Sequence, residues 1–338
     1  MAENKNLVKL ISEGVEQARE QKIANEEIYS DSSAAIGKNQ FLFFIKPEVL
    51  DAPAGVKIDD VLELILDKIQ EFGLTVHNVK VLSASYLEEH NVIAQHYGVI
   101  NSIAKDAVNN LSEGAKEKFS ALYGVDVSAC KVLGGLEVIE QYPAFNAFSL
   151  DYLWQNLENK KLAGGTYVEA IKVDNETLHV INGFHPRQLK HFTAAGRSIV
   201  VLTLSGDLDW RVARNEFIGA TNPANAEEGS IRKSLLVKKD ALGLAEVGQG
   251  TNGVHLSAGP VEALVELRRY NSDLSTPGGE KSYEDYRFGQ ALAAAFGGKI
   301  DQIVQNANVM VDGKTTSIFD LTEEKNSDEA IELLKGVL

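Results

Sequence analysis

The chain has 338 residues, 44% of them hydrophobic and 7% aromatic, enough to build one elaborate domain or two ordinary ones around a substantial core. Its formal charge of −15 argues against nucleic-acid binding by bulk electrostatics, although a site for a small anion needs only local positive charge. One cysteine (Cys130), no apolar leader and no run near the ~18 apolar residues of a membrane span exclude a disulfide framework and predict a cytoplasmic protein away from the membrane.

Residues 1–39 begin with Leu7, Val8, Leu10, Ile11 and Val15 at helical spacing and end in Ser30-Asp31-Ser32-Ser33, which predicts a helix and then a loose linker. Residues 40–45 form a short, nearly continuous apolar run, as in a strand buried on both faces. Ile58, Val61, Leu62, Ile65, Leu66, Ile69 and Phe72 make one helical face, with Gly73 placed to end it. A second strand is predicted over 76–82 and a helix over 85–97. Residues 101–183 read as an insert, with helices over 110–123 and 150–157 and a hairpin turning at Asp174-Asn175. There follow a helix to Thr193, a buried strand over 199–204, a short helix over 209–217, a last core strand over 254–257 and a helix over 261–270. The tail opens with Ser275-Thr276-Pro277-Gly278-Gly279 and continues with helices over 283–296 and 328–338.

With the insert set aside, the order of elements is that of an α+β fold: a ferredoxin-like βαββαβ antiparallel sheet with helices on one face, elaborated by an α/β insert. The expected organisation is an N-terminal helix and linker over 1–39, a core over 40–270 interrupted at 101–183, and a C-terminal helical extension over 271–338.

Four stretches carry chemistry: Phe43-Phe44-Ile45-Lys46-Pro47-Glu48, Gly219-Ala220-Thr221-Asn222-Pro223-Ala224, Gly229-Ser230-Ile231-Arg232, and Asn252-Gly253-Val254-His255. Phosphoryl transfer needs positive charge and hydrogen-bond donors around oxygens that stay anionic throughout. It also needs a nucleophile that is unprotonated near neutral pH, and histidine meets that need with no neighbouring base. In this order the stretches resemble those of the nucleoside diphosphate kinases, over roughly residues 40–100 and 184–270.

The resemblance implies that His255 is the phosphorylated histidine, with Glu266 holding its ring and Lys46 binding phosphate. It also implies a nucleotide-binding set of Lys46, Tyr97, Phe184, Arg214, Thr221, Arg232 and Asn252. ATP and other nucleoside di- and triphosphates would be the ligands, Mg2+ would arrive with the nucleotide, and the chain would assemble as a homo-oligomer. No protein-bound metal is expected.

The chain departs from the family at several points. The arginine six residues before the threonine is replaced by Asn215, with Arg214 one step earlier. The base-stacking phenylalanine falls at His185 on a gapless count, beside Phe184. The usual Gly-Ser-Asp after the histidine is Leu256-Ser257-Ala258, which raises the prospect of a leucine crowding the site. The insert splits the helical hairpin that normally clasps the base, and it is expected to form a lid or wall there. Asn215, Leu256 and the split hairpin favour an alternative, a nucleotide-binding or regulatory protein with weakened turnover on the same fold. Gly248-Gln249-Gly250-Thr251-Asn252-Gly253 fits a dinucleotide fingerprint in letters only, because a strand and not a helix is predicted after it.

Overall fold

The computed structural model describes residues 2–338, with side chains from residue 4 onward, and divides into two compact units, Met1–His90 with Ala195–Leu338, and Asn91–Ala194. The second unit contains the expected insert 101–183 and takes in flanking segments at both ends. Tyr97 and Phe184 therefore belong to it.

The first unit is built on five strands: β1 (Asn25–Ser30), β2 (Asn39–Ile45), β3 (Thr75–Ser83), β4 (Ser198–Gly206) and β5 (Val254–Leu256). Their order across the sheet is β1-β3-β4-β2-β5, and every neighbouring pair is antiparallel. Without β1 this is the strand order of a ferredoxin-like βαββαβ sheet. All seven residues of β2 and all nine of β4 are buried, which is why both read as unbroken apolar runs.

One face of the sheet presents Phe41, Phe43, Ile45, Val79, Val81, Val200, Leu202 and Leu204 to α1 (Ala2–Arg19) and α2 (Ile58–Glu71). Leu7, Val8, Ile11 and Val15 of α1, with Val61, Leu62, Ile65, Leu66 and Ile69 of α2, complete this core. Trp210, Ala213, Phe217, Ile231 and Leu235 join it, so α3 (Ile231–Val237) and the turn before it lie on the same face, as expected of the second ferredoxin-type helix. Beyond β5, α4 (Pro260–Asn271) covers the other face, where Tyr270 meets Phe44 at 5.5 Å between ring centroids.

The predicted helix over 85–97 is broken at Asn91 (φ 53°) into Ala84–Glu89 and Val92–His96, and three further local readings need correction. The segment expected to be a loose linker contains β1, an edge strand with a bulge between Glu27 and Tyr29; its half-exposed sequence, Asn-Glu-Glu-Ile-Tyr-Ser, carries no apolar alternation. The predicted helix over 209–217 is one α turn, Trp210–Val212, followed by a π-helix, Ala213–Ile218. The C-terminal extension is not wholly helical: besides α5 (Arg287–Phe296) and α6 (Ser327–Val337) it holds a hairpin of β6 (Asn308–Val311) and β7 (Lys314–Ser317). Its turn, Asp312-Gly313, has both residues at positive φ (48° and 77°), a hairpin signal present in the sequence. Asn326, ahead of α6, ties this tail to the sheet by accepting from Asn39 Nδ2 (2.8 Å) and donating to Asp209 Oδ2 (2.7 Å).

The second unit has its own four-stranded sheet, comprising Lys131–Gly134, Lys160–Ala163, Thr166–Val173 and Glu176–Ile181. The expected hairpin is present, with Asp174 and Asn175 both at positive φ. Phe119, Val132, Leu162, Val168 and Ile181 pack on one side, and Leu133, Leu150, Trp154, Leu178 and Val180 on the other. Among the described residues, no helix of either unit is long and apolar enough to cross a membrane.

Candidate active site

The register between β2 and β5 places Phe44 opposite His255 and Ile45 opposite Val254, and Lys46 N–H donates to Gly253 O at 2.8 Å to extend the ladder. Alternation along the strands sends Phe44 and His255 to the face under α4, where their rings stack 4.5 Å apart at 20°. Lys46 continues that face two residues on. By the same alternation Leu256 points the other way, into the core with Phe43, and is 1% exposed. It does not crowd the histidine; that expectation is corrected by strand geometry.

His255 Nε2 lies 3.0 Å from Glu266 Oε2 and 3.2 Å from Oε1. Glu266 projects from α4 and is 2% exposed, and Ser257 Oγ donates to its Oε2 at 2.5 Å. A carboxylate accepting from both neighbours fixes the proton of a neutral imidazole on Nε2, which leaves the lone pair on Nδ1. Ser257, two residues past the histidine, thus acts on the ring through the acid.

The cationic groups come from three separate segments: the end of β2, the first turn of α3 and the π-helix. Lys46 is 8% exposed and donates to Asn252 Oδ1 at 2.7 Å. Burial, with a smaller contribution from Arg232, pulls the ammonium pKa down to about 8 against the opposing charge of Glu48. Asn252, 2% exposed, donates from Nδ2 to the backbone oxygens of Thr221 (3.0 Å) and Gln249 (3.3 Å). Glu48 Oε1 accepts from Gly253 N–H at 2.9 Å, a tether the sequence reading missed. Gly253 itself sits at φ 80°, and an added Cβ would come within 2.5 Å of Leu235. The glycine of the apparent dinucleotide fingerprint therefore serves a tight strand entry.

Arg232 lies in the first turn of α3, whose N-cap Ser230 accepts from Lys233 N–H. The guanidinium is 5% exposed and donates to Gly219 O (2.9 Å) and Val254 O (3.0 Å), so it joins the threonine loop to the strand of His255. Gly219 is obligatory for that approach: its φ is 87°, and a Cβ would fall 2.4 Å from Ser230 Oγ. Thr221 is exposed and contributes its carbonyl to Asn252.

Arg214 reaches the same place from the π-helix. Its Nη1 donates to Leu256 O at 2.9 Å, and its Nε is buried with no hydrogen-bond partner among the described residues. Asn215 is exposed and donates to Arg211 O. A π turn takes up one residue more than an α turn. The extra residue lies in the same segment as the one-residue offset between Arg214 and the arginine position that the resemblance implies.

Tyr97 and Phe184 lie in the second unit. Tyr97 is half-buried, with its ring 6.4 Å from those of His185 and Phe192. Phe184 is half-buried against Trp154 and Tyr167. His185, the alternative to Phe184, is fully buried, with Nδ1 3.0 Å from Gln188 Oε1 and Nε2 3.2 Å from Asn101 Oδ1. Its ring is committed to packing, and Phe184 is the accessible one of the two.

No family model matches the chain. A nucleoside diphosphate kinase of Cereibacter sphaeroides is 40% identical over 85 residues, covering 25% of this chain and 52% of that protein. The chain thus spans about half the length of this relative. A nucleoside diphosphate kinase of Nitratidesulfovibrio vulgaris is 30% identical over 146 residues, covering 40% of this chain and 96% of that protein. A solved nucleoside diphosphate kinase from Encephalitozoon cuniculi aligns over 73% of this chain and 96% of its own at 14% identity, with a TM-score of 0.34, too loose a superposition to add to the topology.

Proposed function

The chain belongs to the nucleoside diphosphate kinase family, and from that premise we propose that it moves the γ-phosphoryl group of a nucleoside triphosphate, typically ATP, onto a nucleoside diphosphate through His255. In the first half-reaction the Nδ1 lone pair attacks the γ-phosphorus, the bond to the β–γ bridging oxygen breaks, and the diphosphate leaves with that electron pair. In the second, a terminal oxygen of another nucleoside diphosphate attacks the phosphorus, and the N–P bond breaks. Atoms and charge balance with no other reactant.

The observation that carries this reading is the His255–Glu266–Ser257 arrangement, an imidazole whose Nε2–H is held by a buried carboxylate. That carboxylate offsets the positive charge the ring gains as Nδ1 bonds to phosphorus. Lys46, Arg232 and Arg214 supply cationic charge beside the ring, and Thr221 supplies a hydroxyl from the loop that Asn252 braces. Tyr97 and Phe184 are the proposed base contacts. Glu48, Glu262 and Glu266 each accept protein donors, so Mg2+ fits as a partner of the nucleotide phosphates, keeping its own waters and lowering their charge.

The test is incubation with γ-labelled ATP. Label on the protein that is stable to base and labile to acid, and absent from His255→Ala, is the expected result. The insertion of the unit Asn91–Ala194 into the fold favours a second reading, a nucleotide-binding protein without efficient turnover. A wild type that binds ATP and takes up no label would decide for it.

A further inference from the structure

One turn before Glu266, a second acid of α4 faces the residues that follow the histidine. Glu262 Oε2 accepts from Ala258 N–H at 2.7 Å, and the groups acting on it come from three directions. Glu266 lies on its own helix, Arg214 acts on it by charge from the π-helix with its Nη1 on Leu256 O, and Glu323 follows the short helix Ile318–Thr322 of the C-terminal extension. Three successive residues are thus held by ionisable side chains: Leu256 O by Arg214, Ser257 by Glu266 and Ala258 N–H by Glu262. Two acids one helical turn apart are costly to ionise together in a partly buried site. Glu266 is committed to the ring and Ser257, which leaves Glu262 to carry the proton.

We propose that Glu262 is a positioning residue that sets the charge of the site: uncharged, it leaves the Arg214 guanidinium to an anionic substrate, and ionised, it neutralises that guanidinium. This deepens the kinase reading and rests on Arg214 being a nucleotide contact. Burial first, and the charge of Glu266 second, push the Glu262 carboxyl up to about 7, so the exchange falls within the range of cellular pH. Nothing in the sequence pattern marks Glu262, because its role depends on a contact made across a turn.

The test compares wild type and Glu262→Gln, whose amide oxygen still accepts from Ala258 N–H. Binding of MgATP is measured calorimetrically from pH 6 to 8.5. Wild type should weaken by roughly tenfold relative to Glu262→Gln over that range, the factor of one pKa unit of coupling, while the ionisation of ATP itself affects both proteins alike. Parallel pH profiles would overturn the proposal. A second measurement needs neither variant nor nucleotide: the Arg214 Nε–H resonance of wild type should move with a midpoint near the carboxyl pKa of about 7. A resonance that stays still from pH 6 to 8.5 would also overturn it. Failure of both proteins to bind MgATP at any pH would instead sink the nucleotide reading, with the resonance still deciding the role of Glu262.

Discussion

At Lys46, folding and chemistry pull against each other. The ammonium is buried at a strand end, and its pKa falls from 10.5 to about 8. The folded protein therefore releases this proton at lower pH than the unfolded chain does. The penalty is fully present below about pH 8, and stability recovers as pH rises from 8 to 10.5. Lys46→Met should remove a cost on the order of 3 kcal/mol and lose the bond to Asn252, worth about 1–3 kcal/mol when its acceptor is stranded. Denaturant unfolding at pH 7 should therefore give a stability close to that of wild type, with a flatter slope between pH 8 and 10.5. Label uptake should fall at least about a hundredfold. A variant several kcal/mol less stable at pH 7 would mean that the charge is worth more paired than its burial costs. Leu256 gives the converse case. It packs in the core under β5, so Leu256→Ala should cost about 2–5 kcal/mol in unfolding free energy while a folded sample keeps its label uptake.

At the scale of elements, the π-helix Ala213–Ile218 makes a sharp prediction. If the extra residue is absorbed in that turn, deleting Asn215 should convert it to an α turn and leave Arg214 on Leu256 O. Label uptake by the deletion variant should match wild type, while Arg214→Ala loses about tenfold or more. If the deletion behaves like Arg214→Ala, the turn does not absorb the offset. Periodicity could not reveal this feature, because a six-residue π segment differs from an α turn in its hydrogen-bond register and not in its apolar spacing. The elements that were legible are those whose burial is uniform or one-sided: β2 and β4 as apolar runs, and α2 as a face closed by Gly73 at φ 67°. β1 was hidden because an edge strand facing solvent needs no alternation. Lys46, Arg232, Asn252 and His255 could be picked out because they stand in short motifs, and Glu266 because the resemblance fixes its distance from the histidine. Phe44 and Ser257 stand in those stretches as letters, but the ring stack of Phe44, the bond of Ser257 to Glu266 and the whole role of Glu262 depend on pairing register and helix turns, which a linear motif does not record.

At the scale of the molecule, the first unit holds every proposed phosphate and histidine contact: Lys46, Arg214, Thr221, Arg232, Asn252, His255 and Glu266 all lie outside Asn91–Ala194. Its sheet is complete without the second unit. Ser83 at the end of β3 pairs with Ser198 at the start of β4, and Ala84 N–H donates to Arg197 O at 2.9 Å, so the chain leaves and re-enters the fold at adjoining points. Replacing 91–194 by a short glycine linker therefore asks little of the backbone, since closing a loop costs only about 0.6 kcal/mol for each doubling of its length. The shortened protein should unfold in one cooperative transition, and the excised 91–194, with its own sheet and apolar layers, should fold alone. Label uptake on His255 should survive the excision, while the concentration of ATP needed for half-maximal labelling rises because Tyr97 and Phe184 leave with the insert. A folded, excised protein that takes up no label at any ATP concentration would show that the second unit supplies more than base contacts.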